Sequence, residues 1–204
     1  MDDTPTTGIE IRPAKRCELP LIAEKAEETN LPLTAYCALL ECAHEVEPQH
    51  LLVAVADGSI IGYIGSTSHY ELLWIKLVLK LAIKRQLRTL LQGTASAPPL
   101  DPRGCFGGHV FNTTVYPSYR QQGIGRMLNQ RIIDELEATR IRRWVKESNM
   151  PNKNLVEKMG FHAKRRSRGW IRYELQKPRQ RNPIRAARTN FRQFISFFAS
   201  SRCL

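Results

Sequence analysis

The segment Val115-Tyr116-Pro117-Ser118-Tyr119-Arg120-Gln121-Gln122-Gly123-Ile124-Gly125 closes an apolar run and opens directly into a helical pattern. An arginine followed by two glycines one residue apart is a means of holding phosphate. Glycine tolerates left-handed backbone, so successive N–H groups can turn toward one point, and a helix beginning near Gly123 adds the positive end of its dipole there. A diphosphate suits such a cradle. Taken alone, the same residues also describe an ordinary tight turn from strand to helix.

A second segment narrows the choice. Glu147-Ser148-Asn149, then Asn152, Asn154 and Glu157-Lys158-Met159-Gly160-Phe161, follow the first after one helix and one short strand. In this order and spacing the chain resembles the GNAT acyltransferase superfamily, from about residue 9 to about residue 175. Arg120, Gly123 and Gly125 match the family's Arg-x-x-Gly-x-Gly loop, with Val115 and Pro117 as its lead-in. Asn149 and the run from Glu157 to Phe161 match its second motif.

The resemblance implies a co-substrate and a set of roles. Acetyl-CoA would donate an acetyl group directly to a primary amine in a ternary complex, with no metal required. Its pyrophosphate would rest on Gln121, Gln122, Gly123, Ile124 and Gly125, with Arg120 and Arg126 adding charged contacts. Backbone at Thr114 and Val115 would pair with the pantetheine arm, the Val115 N–H would face the thioester oxygen, and Asn149 would touch the cofactor. Two positions depart from the family. No acidic residue lies between Asp101 and Asp134, where a Glu often acts as base, so His109 is the candidate base. Val156 stands where many members carry the Tyr that protonates the departing thiolate, leaving Tyr116 or water for that step. These departures keep a second reading open, a weakly catalytic or non-catalytic module of the same fold that binds CoA or an anionic membrane surface.

The elements that must hold these residues follow from hydrophobic periodicity. We expect a strand over 9–12, helices over 18–29 and 34–46, and strands over 51–56 and 60–66 joined by Asp57-Gly58-Ser59, a hairpin sequence. A helix over 71–91 follows, with Lys76, Lys80, Lys84 and Arg88 recurring among leucines, and then a loop rich in Gly and Pro to 108. Next come a strand over 109–116, a helix over 123–139, a strand over 142–146, a helix over 152–159 and a hairpin over 161–175. The expected fold is α/β, GNAT-like, with a mixed central sheet flanked by helices and an amphipathic helix inserted between the third and fourth strands. The expected division is an acyltransferase domain over 1–176, interrupted by a helical insertion over 69–107, and a basic amphipathic tail over 177–204.

Charge is unevenly distributed. The chain of 204 residues carries a net charge of +12, yet residues 1–68 hold four basic and eleven acidic side chains, and residues 69–204 hold the remaining 27 and eight. A basic region of this kind suits polyanionic partners or a solubilising surface. Contact with a membrane surface through 71–91 and 184–199 is one expectation; a homodimer contact or packing within the domain competes for the first of these helices. Nucleic acid is disfavoured, because no stacking platform or recognition motif accompanies the basic residues. Glu24, Glu27, Glu28, Glu41, Glu45 and Glu47 either attract a cationic small-molecule or peptide amine or form solvated helix faces. Five cysteines lack metal-ligand spacing, His44, His50, His69 and His162 likewise, and with no secretory signature a cytoplasmic protein with reduced thiols is expected.

Overall fold

The central strands β2 (Leu51–Ala56) and β3 (Ser59–Thr67) are buried along almost their whole length. Strands this apolar need cover on both faces, and helices supply it. The computed structural model describes residues 8–26, 31–83 and 107–178. In chain order the remaining elements are β1 (Glu10–Pro13), α1 (Leu19–Glu24), α2 (Leu33–Val46), α3 (Tyr70–Ile83), β4 (Gly108–Val115), α4 (Ile124–Glu135), β5 (Arg140–Lys146), α5 (Met150–Lys158), β6 (His162–Ser167) and β7 (Trp170–Gln176). Among the described residues the sheet has seven strands in the order β1-β2-β3-β4-β5-β7-β6. Only β4 and β5 are parallel neighbours; every other pair is antiparallel.

The expected α/β architecture and the helix inserted between the third and fourth strands are both present. Asp57 and Gly58 take left-handed backbone (φ 49° and 75°), the conformation a two-residue hairpin requires. Two helices are shorter than their periodicity suggests. The first begins as a 3-10 turn at Arg16–Glu18 and becomes α1, whose C-cap is Lys25; residues 27–30 lie outside the described segments. The helix after the glycine loop ends at Glu135 because Leu136 turns to extended backbone and is fully buried. The last part of the predicted 71–91 helix, most of the following loop and the tail beyond 178 also lie outside the described residues.

The sheet separates two cores. Leu40, Tyr63, Leu73 and Leu77 belong to the one beneath α1, α2 and α3. Ile61, Ile64, Leu128, Ile132 and Ile141 belong to the other, beneath α4 and α5. Leu73, Leu77 and Leu81 recur every fourth residue and bury the inner stripe of α3. Its lysines do not simply face water. Lys80 Nζ lies 2.7 Å from Glu41 and 3.1 Å from Glu45, and Lys76 Nζ lies 3.6 Å from Glu45, so the basic side of α3 is pinned to the acidic side of α2. The outward side is apolar instead, with Ile75, Val78, Leu79 and Ile83 exposed. No described helix is long and apolar enough to cross a membrane.

One feature of the sheet positions the site. The parallel ladder between β4 and β5 covers only Gly108–Val110 against Ile141–Arg143, after which the two strands part. A gap therefore opens in the middle of the sheet, leading toward the start of α4.

Candidate active site

A cleft enclosing about 1150 Å³, part of it open to solvent, passes through this gap. Its walls come from β4, β5, α2, α3 and the start of α5. On the α3 side lie Tyr70, Trp74, Tyr36 and Phe111, with Trp144 and Trp170 near them; Arg143, Thr113, Asn149 and Asn152 also line it. None of the described lining residues is acidic. The glutamates singled out from sequence lie elsewhere. Glu41 and Glu45 pair with lysines, Glu24 is exposed at the end of α1, and Glu47 is buried with Thr67 and Ser68; Glu27 and Glu28 fall outside the described residues.

At the mouth of the gap the chain turns sharply before α4. Gln121 and Gly123 both adopt left-handed backbone (φ 64° and 78°), and Gly123 is the N-cap of α4 with no side chain capping the helix. The first-turn N–H groups of Ile124, Gly125 and Arg126 are thus left to an external acceptor. A Cβ on Gly123 meets nothing within 4 Å, so that glycine is explained by its dihedral angle. Gln121, Gln122 and Arg126 are exposed around the turn. These are features that fit a diphosphate, and the predicted residues 121–126 come together here.

Arg120 does part of its work inside the protein. Its Nε donates to the Val115 carbonyl at 3.0 Å, fixing the turn to the end of β4. The next residue, Tyr116, donates its backbone N–H to Ile61 of β3 at 2.9 Å. Backbone polar groups alternate sides along a strand. The N–H and C=O of Val115 therefore face away from β3, into the gap. Thr114 is buried, with its Oγ1 donating to Asn112 Oδ1 at 3.3 Å. Asn149 lines the cleft as the N-cap of α5, its Oδ1 accepting from the Asn152 N–H at 3.0 Å.

The two candidate proton carriers are separated. His109 is in the cleft wall, its ring stacked on Tyr70 with centroids 4.3 Å apart. Tyr116 is not among the lining residues; its ring packs in the core beneath α1 and α2, with Lys25 Nζ 4.9 Å above it. Burial pushes the Tyr116 phenol up to about 12, and its hydroxyl has no partner among the described residues.

Sequence reasoning missed a polar cluster that does reach the cleft. Tyr36 of α2 and Tyr63 of β3 share a hydrogen bond of 2.9 Å between hydroxyls, and Asn112 Nδ2 donates to both, at 2.5 and 3.0 Å. Burial, reinforced by the neighbouring Tyr63 hydroxyl, holds Tyr36 well above the ordinary tyrosine range, so this phenol stays protonated and available as a donor. These three residues are far apart in the sequence, and only the packing of α2 on the sheet joins them.

A mixed sheet split between its parallel strands, with an uncapped helix starting at the split, defines a GNAT fold. The chain matches the model of the acetyltransferase (GNAT) family over residues 18–161, and it belongs to that family. No curated protein matches the sequence. Solved structures share the fold at low identity. An N-acetyltransferase from Staphylococcus aureus Mu50 aligns with a TM-score of 0.62 at 16% identity, covering 81% of this chain and 100% of that one. A putative acetyltransferase from Salmonella typhimurium, solved with its cofactor acetyl-CoA, aligns at 0.58 and 17%, covering 88% and 100%. The ribosomal-protein-S18-alanine N-acetyltransferase from Escherichia coli aligns at 0.55 and 16%, covering 85% and 97%. The family and fold are those of acetyl-CoA-dependent acetyltransferases.

Proposed function

We propose that this protein is an N-acetyltransferase that passes the acetyl group of acetyl-CoA directly to a primary amine held in the same cleft. The observation that carries this reading is the continuity of the split sheet with the uncapped start of α4. A diphosphate bound to the N–H groups of residues 124–126 leaves the rest of the cofactor one path, along the open edge of β4. The thioester then supplies an activated acyl group; its C–S bond breaks as the C–N bond forms, and CoA leaves as the thiol.

The chain's own groups have distinct tasks in this reading. The Val115 N–H donates to the carbonyl oxygen that gains charge as the amine adds, and one preorganised donor of this kind is worth about 3 kcal/mol of barrier. Asn149 orients the cofactor arm. His109 stands six residues before Val115 on β4, roughly 20 Å at about 3.3 Å per residue, so it receives the proton the amine must lose only by way of intervening water. The amine has to be neutral to attack, and the wall of the cleft assists: Arg143 and Lys146 line it, and nearby positive charge lowers the pKa of a bound ammonium group. The same cations and the aromatic wall favour an acceptor with an apolar or planar body over a polycationic one.

Calorimetric titration with acetyl-CoA tests the reading, using wild type and Gly125→Glu. A Cβ at position 125 stands 3.4 Å from Leu155 Cδ2 and 3.7 Å from Val115 Cγ2, an ordinary contact, so the variant is expected to fold. A carboxylate in the first turn also suits the helix dipole. Saturable binding by wild type, lost in the variant, supports the cofactor site; a folded wild type that does not bind acetyl-CoA overturns it.

A further inference from the structure

Arg143 is a buried charge with no counter-charge among the described residues. It lies on β5 between Ile141 and Val145, on the face turned toward α4 and α5, and is only 3% exposed. Nη1 donates to Asn129 Oδ1 at 2.5 Å, and Nη2 donates to Thr113 Oγ1 and Asn152 Oδ1, each at 3.2 Å. Nε is buried with no partner. Every acceptor is neutral. The adjacent Arg142, by contrast, meets Glu174 of β7 at 3.2 Å, so one of the two arginines has a carboxylate and the other has none among the described residues.

Burial lowers the Arg143 pKa to about 10, which still leaves the guanidinium charged near neutral pH. An ion held among neutral dipoles loses hydration that an opposite charge offsets more strongly than neutral acceptors do. Arg143 also borders the cleft, as do its partners Thr113 and Asn152. No acidic side chain occurs in the described lining, and a ligand entering the cleft is a source of the anion that would satisfy Arg143. Hydrogen bonds to an ionised acceptor are about twice as strong as those to a neutral one, so a carboxylate competes well with the amide and hydroxyl now in place.

We propose that Arg143 is a carboxylate-binding residue of the cleft, receiving an anionic group borne either by the acyl chain of the donor or by the amine acceptor. This rests on the N-acyltransferase reading above and specifies its substrate class. The carboxylate is spectator to the transfer: it orients the ligand and forms no bond in the reaction.

Two matched pairs of ligands separate the sources. For the donor, binding of succinyl-CoA is compared with butyryl-CoA by calorimetry; for the acceptor, kcat/KM with acetyl-CoA is compared for phenylalanine and phenethylamine. Wild type is expected to prefer the carboxylate-bearing member of one pair at least tenfold. Arg143→Met is expected to abolish that preference, with at least a tenfold loss on the carboxylate-bearing member and a smaller loss on the member without it, and circular dichroism shows that the variant is folded. Arg143→Lys keeps the charge but loses the fork and is expected to retain part of the preference, giving a second measurement should the Met variant not fold. Wild type without a preference in either pair overturns the proposal, as does a preference that survives in Arg143→Met. A wild type that binds no acyl-CoA at all removes the acyltransferase reading, and this proposal with it.

Discussion

Replacing Glu47 by Gln tests how the wall of the cleft is anchored. Glu47 follows the last residue of α2 and is 8% exposed. Its Oε2 accepts from Thr67 Oγ1 at 2.6 Å and from the Ser68 N–H at 2.8 Å, tying the end of α2 to the end of β3 just before α3 begins. His50 Nδ1 lies 3.2 Å from Oε1, an electrostatic contact rather than an aligned hydrogen bond. Burial alone raises the Glu47 pKa, but His50, Thr67 and Ser68 together outweigh it and bring the carboxyl from 4.5 down to about 2. A depressed acid pKa stabilises the fold above the unfolded value, and the contribution is lost as pH falls through the folded one. At about 1.4 kcal/mol per unit, the expected contribution is about 3 kcal/mol at pH 7 and about 1 kcal/mol at pH 3. Urea denaturation of wild type and Glu47→Gln across pH 7 to 3 reads the difference. The curves should lie furthest apart at pH 7 and converge on acidification. A constant gap refutes the assignment of the pH dependence to Glu47, and no gap at all refutes the anchoring argument.

Gly62→Ala should distort the catalytic edge from behind, since its Cβ would stand 2.8 Å from the Thr114 carbonyl oxygen and 3.3 Å from Val115 Cα. Overpacking of this kind costs about 1–3 kcal/mol; a lower melting temperature with weakened acetyl-CoA binding is expected, and an unchanged protein contradicts the register of β3 on β4. Tyr36→Phe removes one hydrogen bond from Tyr63 and one from Asn112, which still bond each other, and should cost about 1 kcal/mol in denaturant unfolding. The same variant should lower kcat more than it raises KM for the amine, if the cluster acts at the cleft. Lys80→Ala removes contacts that are partly exposed, so a loss below about 1 kcal/mol, shrinking with added salt, is expected from thermal melts at two ionic strengths. Spermidine should be a poorer acceptor than phenethylamine by at least tenfold in kcat/KM; the reverse order contradicts the cationic, aromatic description of the cleft.

Much of the framework is written in local sequence. Asp57-Gly58 announces its hairpin because both residues need left-handed backbone, and the loop before α4 declares itself through Gly123. The cleft was harder to see. Tyr36, Tyr63 and Asn112 meet only because α2 crosses the sheet at one place, which no window of sequence contains. Arg142 and Arg143 are the sharper case: two adjacent arginines suggest a solvated strand end, yet they are 7% and 3% exposed. Arg142 is accommodated by Glu174, on a strand that sequence marks only as a hairpin partner, and Arg143 by Asn129 at a buried position of α4. Boundaries failed for a related reason, as at Leu136, where burial of one side chain ends a helix whose periodicity continues.

The lopsided charge of the chain is partly an internal matter. Read as composition, an acidic first third and a basic remainder invite a search for external partners for each. In the fold, Glu41 and Glu45 of α2 face Lys76 and Lys80 of α3, so this part of the asymmetry joins the inserted helix to the body of the domain. That pairing has a consequence for the cleft. Tyr70, Leu73 and Trp74, on the first turns of α3, enter the cleft wall, while the lysines one and two turns further hold the helix to α2. Glu41 and Glu45, which the sequence offered either to a cationic amine or to a solvated helix face, neutralise lysines of α3 instead. The described cleft holds aromatic surface, His109, neutral amides, Lys146 and an arginine with no acidic partner among the described residues, and the proposal that its selectivity turns on the negative charge of the ligand rests on that arginine.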